Sequence, residues 1–182
     1  MHGVIFASYR DFLGARFGGE QARALFADEP VYLMSESYED ERLFELVRRT
    51  AEETGVDADD LLHDFGVYAA GQTFARLYPA YFSIAGGTRP FLLSVETRIH
   101  ELVRATIPNA SPPQLDVAPL DEDGVRITYT SPRRLCVLLV GLVEGTAEVY
   151  DETTAIAHPE CMRRGDAACR FDVRVSPRPR AA

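Results

Sequence analysis

The sequence predicts an α+β fold: a helical N-terminal lobe, then a lobe built on an antiparallel sheet of about four strands with helices. Three observations predict it. Up to about residue 107, apolar residues recur at helical spacing. After Pro108 the apolar period falls to two, with a hairpin signal. The remaining order is β-β-α-β-β, which places strands together rather than alternating them singly with helices.

The elements follow in order. Ile5, Tyr9, Phe12, Leu13 and Phe17 form one helical stripe, stopped by Gly18-Gly19. Gln21 to Phe26 is a second, short helix before Pro30. Leu43, Leu46, Val47 and Ala51 mark a third after the acidic start Glu39-Asp40-Glu41, ending at Gly55. Asp57 is the N-cap of a fourth, because its carboxylate can accept from a free helix-start N–H. That helix carries Leu61, Leu62 and Phe65 and runs towards Tyr78-Pro79. A further helix spans about Phe91 to Ile107, closed by Pro108, Pro112 and Pro113. Leu115, Val117 and Pro119 alternate, as do Val125, Ile127 and Tyr129, around the turn Asp121-Glu122-Asp123-Gly124. A helix from about Arg133 to Tyr150, a strand near Thr153 to His158 and a strand from Ala168 to Val175 complete the order. The reading is one domain over residues 1–176. Its helical lobe reaches about residue 60, its α/β lobe covers about 61–176, and 177–182 is a frayed tail.

Composition narrows the function. With 46% apolar and 26% charged residues, 182 residues suffice for one domain with a real core. A net charge of −9 disfavours nucleic acid, which needs a concentrated basic surface. No apolar run approaches a membrane span, and the N-terminus lacks the basic start of a signal peptide. The expected compartment is the cytoplasm. Three cysteines, Cys136, Cys161 and Cys169, cannot all pair with one another, and the cytoplasm disfavours disulfides. With no Ser–His–Asp motif and no phosphate loop, an enzyme is not expected.

His100 lies inside the long helix, beside Ile99, Leu102 and Val103. Alone it would read as a hydrogen-bonded core histidine, since a buried imidazole needs partners. A second feature lies 29 residues on: Tyr129-x-Ser131-x-Arg133 at a strand-to-helix junction. Tyr129 and Ser131 share a strand face, and Arg133 follows at the expected helix start. Two hydroxyls and a guanidinium make a grip for a carboxylate. An axial nitrogen plus a carboxylate grip is what a b-type haem requires, one for iron and one for the propionates.

The ordered set of motifs resembles the H-NOX family, the haem–nitric oxide/oxygen binding domains related to the sensor domain of soluble guanylate cyclase. It comprises Met1-x-Gly3-x-Ile5, Tyr78-Pro79-x-x-Phe82, the Phe91-Leu92 to His100 helix and Tyr129-x-Ser131-x-Arg133, and covers nearly the whole chain. The resemblance implies that His100 is the proximal iron ligand and that Tyr129, Ser131 and Arg133 hold the propionates. It implies that Pro113 presses the porphyrin out of plane. Oxygen-holding members carry a tyrosine five positions after the motif arginine, where this chain has Leu138. An oxygen-excluding pocket for nitric oxide and carbon monoxide is therefore expected. Ile5, Tyr9, Phe74, Leu138 and Leu142 are the candidate walls of the ligand side, and the Tyr9 hydroxyl either reaches the ligand or bonds elsewhere. In the family, nitric oxide releases the proximal histidine and its helix shifts. Stand-alone bacterial members usually regulate a histidine kinase or a cyclic-di-GMP enzyme, and a separate effector of that kind is expected here.

Cys136, His158, Cys161 and Cys169 are separated by 22, 3 and 8 residues. Three thiolates and one imidazole suit tetrahedral structural zinc, and a subset of H-NOX proteins looks like this. The run Glu160-Cys161 to Gly165-Asp166-x-x-Cys169-x-Phe171 also resembles 4-vinyl-reductase-type domains, which imply a haem-free pocket for an organic effector.

Overall fold

The structure, a computed structural model, describes residues 1–179. Helix α1 (Gly3–Phe17) opens it; His2 caps this helix through Nδ1, which accepts the Val4 N–H. Helices α2 (Gly19–Leu25) and α3 (Asp40–Thr54) follow. Asp57 caps α4 (Ala58–Tyr68) by accepting the Asp59 N–H at 2.8 Å, as its sequence position predicts. The expected lobe boundary near residue 60 falls within α4. Leu61, Leu62 and Phe65 on this helix pack with Phe6, Leu13, Leu43 and Leu46 in the first core, so that core extends past the boundary.

Helix α4 does not run unbroken to Tyr78. It passes through a π-helical segment, Ala69–Phe74, into the short α5 (Ala75–Leu77). The chain then adds α6 (Pro79–Ala85), a helix not expected from periodicity, with proline at its permissive first position. The predicted helix around His100 is also interrupted. It consists of α7 (Thr88–Val95), a π-helical segment (Glu96–His100) and α8 (Glu101–Thr106). Widened turns of this kind recur at functional sites because they re-aim the side chains they carry.

Strands β1 (Gln114–Pro119), β2 (Gly124–Thr130), β3 (Glu152–Glu160) and β4 (Cys169–Pro177) form one antiparallel sheet in the order β1-β2-β4-β3. Val125 opposes Val173, Ile127 opposes Phe171 and Tyr129 opposes Cys169. Opposed residues share a face, so these six form its buried side. Leu92 and Val143 join them in the second core. The last helix, α9, spans Cys136–Val149 rather than starting at Arg133. Pro132 and the positive φ of Arg134 (50°) hold residues before it in a turn.

Helix α9 lies directly on α4. A Cβ at Gly141 would overlap the His63 carbonyl, and one at Gly66 would overlap backbone of α9. Glycine is needed there for backbone contact, and that contact sets how near α9 sits to the helical lobe. The expected tail is tied down at its start. Pro177 ends β4, and the Arg178 N–H donates to the Asp151 carbonyl at 3.0 Å. Residues 180–182 lie outside the described part. Among the described residues, no helix is long and apolar enough to cross a membrane.

Candidate functional site

A cavity of about 250 Å³ lies between the helical lobe and the sheet. The His100 segment, the strand β2, the loop before β1 and helix α9 all contribute to its wall. His100, Pro113, Tyr129, Ser131 and Arg133 line it together, although 33 residues separate the first from the last. Ile5, Phe74, Leu138 and Leu142 line it too. Tyr9 does not. It is fully buried in the first core, its ring edge-on to Phe65, and its hydroxyl donates to Thr50 Oγ1 at 3.1 Å. Burial pushes the Tyr9 phenol up to about 12. Thr50 in turn donates to the Leu46 carbonyl at 2.7 Å, so the pair is satisfied inside the helical lobe. Tyr9 as a wall of the ligand side is thus a correction: it lies on the α1 face turned to α3 and α4.

His100 is mostly buried. Its Nδ1 lies 2.8 Å from Glu96 Oε2, one helical turn back. Burial lowers the imidazole's basicity more than the Glu96 carboxylate restores it, so the ring is neutral near pH 7. Burial raises the Glu96 carboxyl, but hydrogen bonds from His100 and Arg104 outweigh it and hold Glu96 below its ordinary range. Glu96 is therefore an acceptor, Nδ1 the donor, and Nε2 keeps its lone pair. Sequence reasoning missed Glu96, although an acidic residue four positions before a helical histidine was a readable signal.

The motif after β2 is held by its own backbone. Tyr129 Oη accepts the Leu135 N–H at 3.1 Å, and Ser131 Oγ accepts the Arg133 N–H at 3.3 Å. Arg133 donates to the Ser111 carbonyl at 2.6 Å, and its Nε lies 2.7 Å from Asp40 Oδ2 across the lobes. Burial raises the Asp40 carboxyl, but Arg133 and the Met1 amino group hold it below the usual carboxylate range. Arg133 Nε is buried and faces the Asp40 carboxylate. Asp40 carried no signal in the sequence, because its contact with Arg133 spans 93 positions.

A second cluster lies on the same buried face of the sheet, beside Tyr129. The sulfurs of Cys136, Cys161 and Cys169 are all within 4.8 Å of one another and buried. Cys136 opens α9, and Cys169 sits directly opposite Tyr129. Burial pushes Cys169 up to about 12 and also raises Cys136. For Cys161 burial acts upward too, but the backbone N–H groups of Arg163 and Arg164 and the neighbouring thiols outweigh it, so its thiol is the more acidic. The Met162 N–H adds a contact to Cys169 Sγ at 3.2 Å. His158 is not among the three sulfurs. A β-bulge follows Ala157, and the His158 ring stacks on Phe171 at 4.0 Å. Its Nε2 is buried without a partner.

Fold and site together define an α+β domain whose interlobe cavity brings the His100 imidazole and a carboxylate grip together. Compared with known families, the chain matches Haem-NO-binding over residues 2–158, and it belongs to that family, as an H-NOX domain. Solved structures agree in fold. An H-NOX protein from S. oneidensis in the Fe(II)NO ligation state is 24% identical, with a TM-score of 0.89 over 97% of this chain and 99% of that one. The H-NOX domain from Shewanella oneidensis in the Fe(II)CO state is 24% identical, with a TM-score of 0.87 over 97% and 99%. Fe(II) unliganded H-NOX from K. algicida is 22% identical, with a TM-score of 0.84 over 100% of each chain. A comparison with curated proteins returned no match.

The residues fit a haem on this structure's own terms. The cavity wall is mainly apolar, which suits a porphyrin face. His100 offers a neutral imidazole with one nitrogen oriented by a carboxylate, as iron ligation requires. The Arg133 guanidinium lines the cavity beside the Tyr129 and Ser131 hydroxyls, a donor set that suits a propionate.

Proposed function

We propose that the chain is a haem-based gas sensor that takes nitric oxide and carbon monoxide on ferrous haem and excludes oxygen. The observation that carries this reading is the convergence of His100 and the Tyr129-Ser131-Arg133 grip on one apolar cavity. Ferrous haem supplies the iron position at which the gas binds. His100 would hold the iron through Nε2, with Glu96 fixing the ring. Tyr129, Ser131 and Arg133 would hold the propionates, and Pro113 would press on the porphyrin. Leu138 supports oxygen exclusion, because bound oxygen carries partial negative charge and gains from a donor that leucine lacks. Ile5, Phe74 and Leu142 complete an apolar wall.

Signalling would run through the segment that carries His100: with nitric oxide bound, release of His100 would free Thr88–Thr106 to shift about the π turn at Glu96–His100, and a separate effector protein would read the change. A histidine kinase or a cyclic-di-GMP enzyme is the partner this reading favours, in the cytoplasm.

An absorption spectrum of the reduced protein, alone and with nitric oxide, carbon monoxide and air, tests the reading. A Soret band should appear, shift with both gases and stay unchanged in air. Nitric oxide should abolish the iron–histidine stretch, and His100→Gly should bind haem only with added imidazole. A retained stretch, or normal behaviour of His100→Gly without imidazole, would sink it.

The cysteine cluster is the site of a structural zinc in the same reading. Three buried sulfurs supply ligands, and the partnerless Nε2 of His158 supports its turning in as the fourth. Elemental analysis of protein purified without chelators should find about one zinc per chain. Its near absence would count against the site.

A further inference from the structure

We propose that Ser8 and Thr73 are positioning residues for the ligand side: the hydrogen bond between them sets its width between Ile5 and Phe74, and with it the size of ligand admitted there. The assignment rests on the haem reading above. Ser8 Oγ lies 2.6 Å from Thr73 Oγ1. Ser8 is a buried residue of α1, and Thr73 belongs to the π-helical segment Ala69–Phe74. The bond therefore ties two elements across 65 positions of the chain. Each element carries a wall residue beside the bond. Ile5 comes three positions before Ser8, so the two are neighbours on one face of α1. Phe74 follows Thr73 directly. Ile5 and Phe74 line the cavity, as do Ala69 and Ala70 of the same segment. Ser8 and Thr73 do not line it, so they stand behind the wall and act through it.

Neither hydroxyl needs this partner for its own satisfaction. A helical serine or threonine can donate to a carbonyl of the preceding turn. Thr50, Thr54 and Thr146 each do so at 2.7 Å, and Thr106 at 2.8 Å, all to the residue four positions back. Among the described residues, the side chains of Ser8 and Thr73 bond only to each other. Two apolar side chains of the same shape would pack there at nearly the same stability. What the hydrogen bond adds is a fixed distance and direction.

The wall residues need that constraint. Ile5 and Phe74 are only partly buried against the first core, so packing alone leaves them room to move. The next residue supplies a second tie: Tyr9 donates to Thr50 on α3, so α1 is held from two sides one turn beyond Ile5. With both ties made, the gap between Ile5 and Phe74 yields little. A diatomic gas is small enough to leave it undisturbed, whereas a ligand with an alkyl chain must spread it.

Competition between carbon monoxide and n-butyl isocyanide on the reduced, haem-loaded protein tests the clasp. Both bind ferrous iron through carbon, and only the isocyanide has a chain that must part Ile5 from Phe74. In Thr73→Val and in Ser8→Ala, isocyanide affinity should rise about tenfold relative to carbon monoxide, the low end of what one methylene in an apolar pocket is worth. The double variant should shift this ratio no further than either single one, because both remove the same bond. Thr73→Ser keeps the hydroxyl and should keep the parent ratio. Thr54→Val loses a hydroxyl of α3 away from the cavity and should keep it too. Methyl relaxation should show greater motion of Ile5 in Thr73→Val, with or without haem. An unchanged ratio in Thr73→Val with an intact Soret band would overturn the clasp while leaving the haem reading standing. A shifted ratio that Thr73→Ser fails to rescue would also overturn it, since packing of the threonine methyl, not the bond, would then set the width. An Ile5 methyl as rigid in Thr73→Val as in the parent would overturn it whether or not haem is bound. Absence of any Soret band in the parent protein would remove the haem reading, and the assignment with it.

Discussion

At His100, the bond between Nδ1 and Glu96 leaves Nε2 as the nitrogen available to a metal. A carboxylate acceptor also makes the imidazole a stronger donor to that metal. Tyr9 shows the opposite outcome for a polar side chain near the same cavity. Its hydroxyl is committed to Thr50 and faces away from the ligand side. Tyr9→Phe should therefore lower stability by about 1 kcal/mol, the usual net loss for one buried hydrogen bond. Thr50 keeps its own acceptor in Leu46, so no buried donor is stranded. Urea denaturation measures the loss. The Soret position and carbon monoxide affinity should match the parent protein, and a shifted ligand affinity would return Tyr9 to the pocket wall.

Between elements, the contact of α4 with α9 joins the helical lobe to the helix that carries Leu138 and Leu142. Glycines bring the two backbones together, and His63 fastens the edge of the contact. Its Nε2 lies 2.8 Å from Glu144 Oε2 on α9 and its Nδ1 3.2 Å from Asp64, which also pairs with Arg16 on α1. Burial lowers the His63 pKa, but the two carboxylates outweigh it and the net shift is upward. A group with a raised folded pKa stabilises the fold fully below its unfolded value near 6.5, and the gain is lost as pH rises through the folded value. His63→Gln should thus be less stable than the parent at pH 5.5 and nearly equal to it well above the folded pKa. The imidazole is a third exposed, so the difference should not exceed about 1 kcal/mol. Equal stabilities at both pH values would show that the contact is held by glycine packing alone.

Across the whole molecule, the two lobes meet at the cavity, and Asp40–Arg133 is the ion pair that spans its rim. Asp40 opens α3 in the helical lobe, and Arg133 sits in the turn between β2 and α9. Removing the Asp40 charge leaves a largely buried guanidinium short of an acceptor. Asp40→Asn should cost about 1–3 kcal/mol in the haem-free protein. The cost should be smaller in the haem-loaded protein, because a propionate is a second acceptor for Arg133. Thermal unfolding of both forms measures this difference. Equal losses in the two forms would mean that Arg133 does not hold the propionate.

Sequence periodicity alone determined the α+β class, the Asp57 cap, the hairpin β1–β2 and the closing helix between strand pairs. These are local properties, set by which residues repeat within a few turns or a few strand positions. The spacing of His100, Tyr129, Ser131 and Arg133 likewise marked out the four as candidates for one site, and all four line one cavity. Only the tertiary structure decided the rest. It turned Tyr9 into the helical core, where α3 supplies Thr50. It brought Asp40 to Arg133, Glu144 to His63, and Cys136 to Cys161 and Cys169. It left His158 stacked on Phe171, because a β-bulge next to it changes the register that spacing assumes. Helix interruptions at Ala69–Phe74 and Glu96–His100 belong to the same class: one extra residue per turn alters no apolar pattern strongly enough to read. The contacts Asp40–Arg133 and His63–Glu144 depend on how the lobes dock, and the packing of α4 on α9 sets that docking.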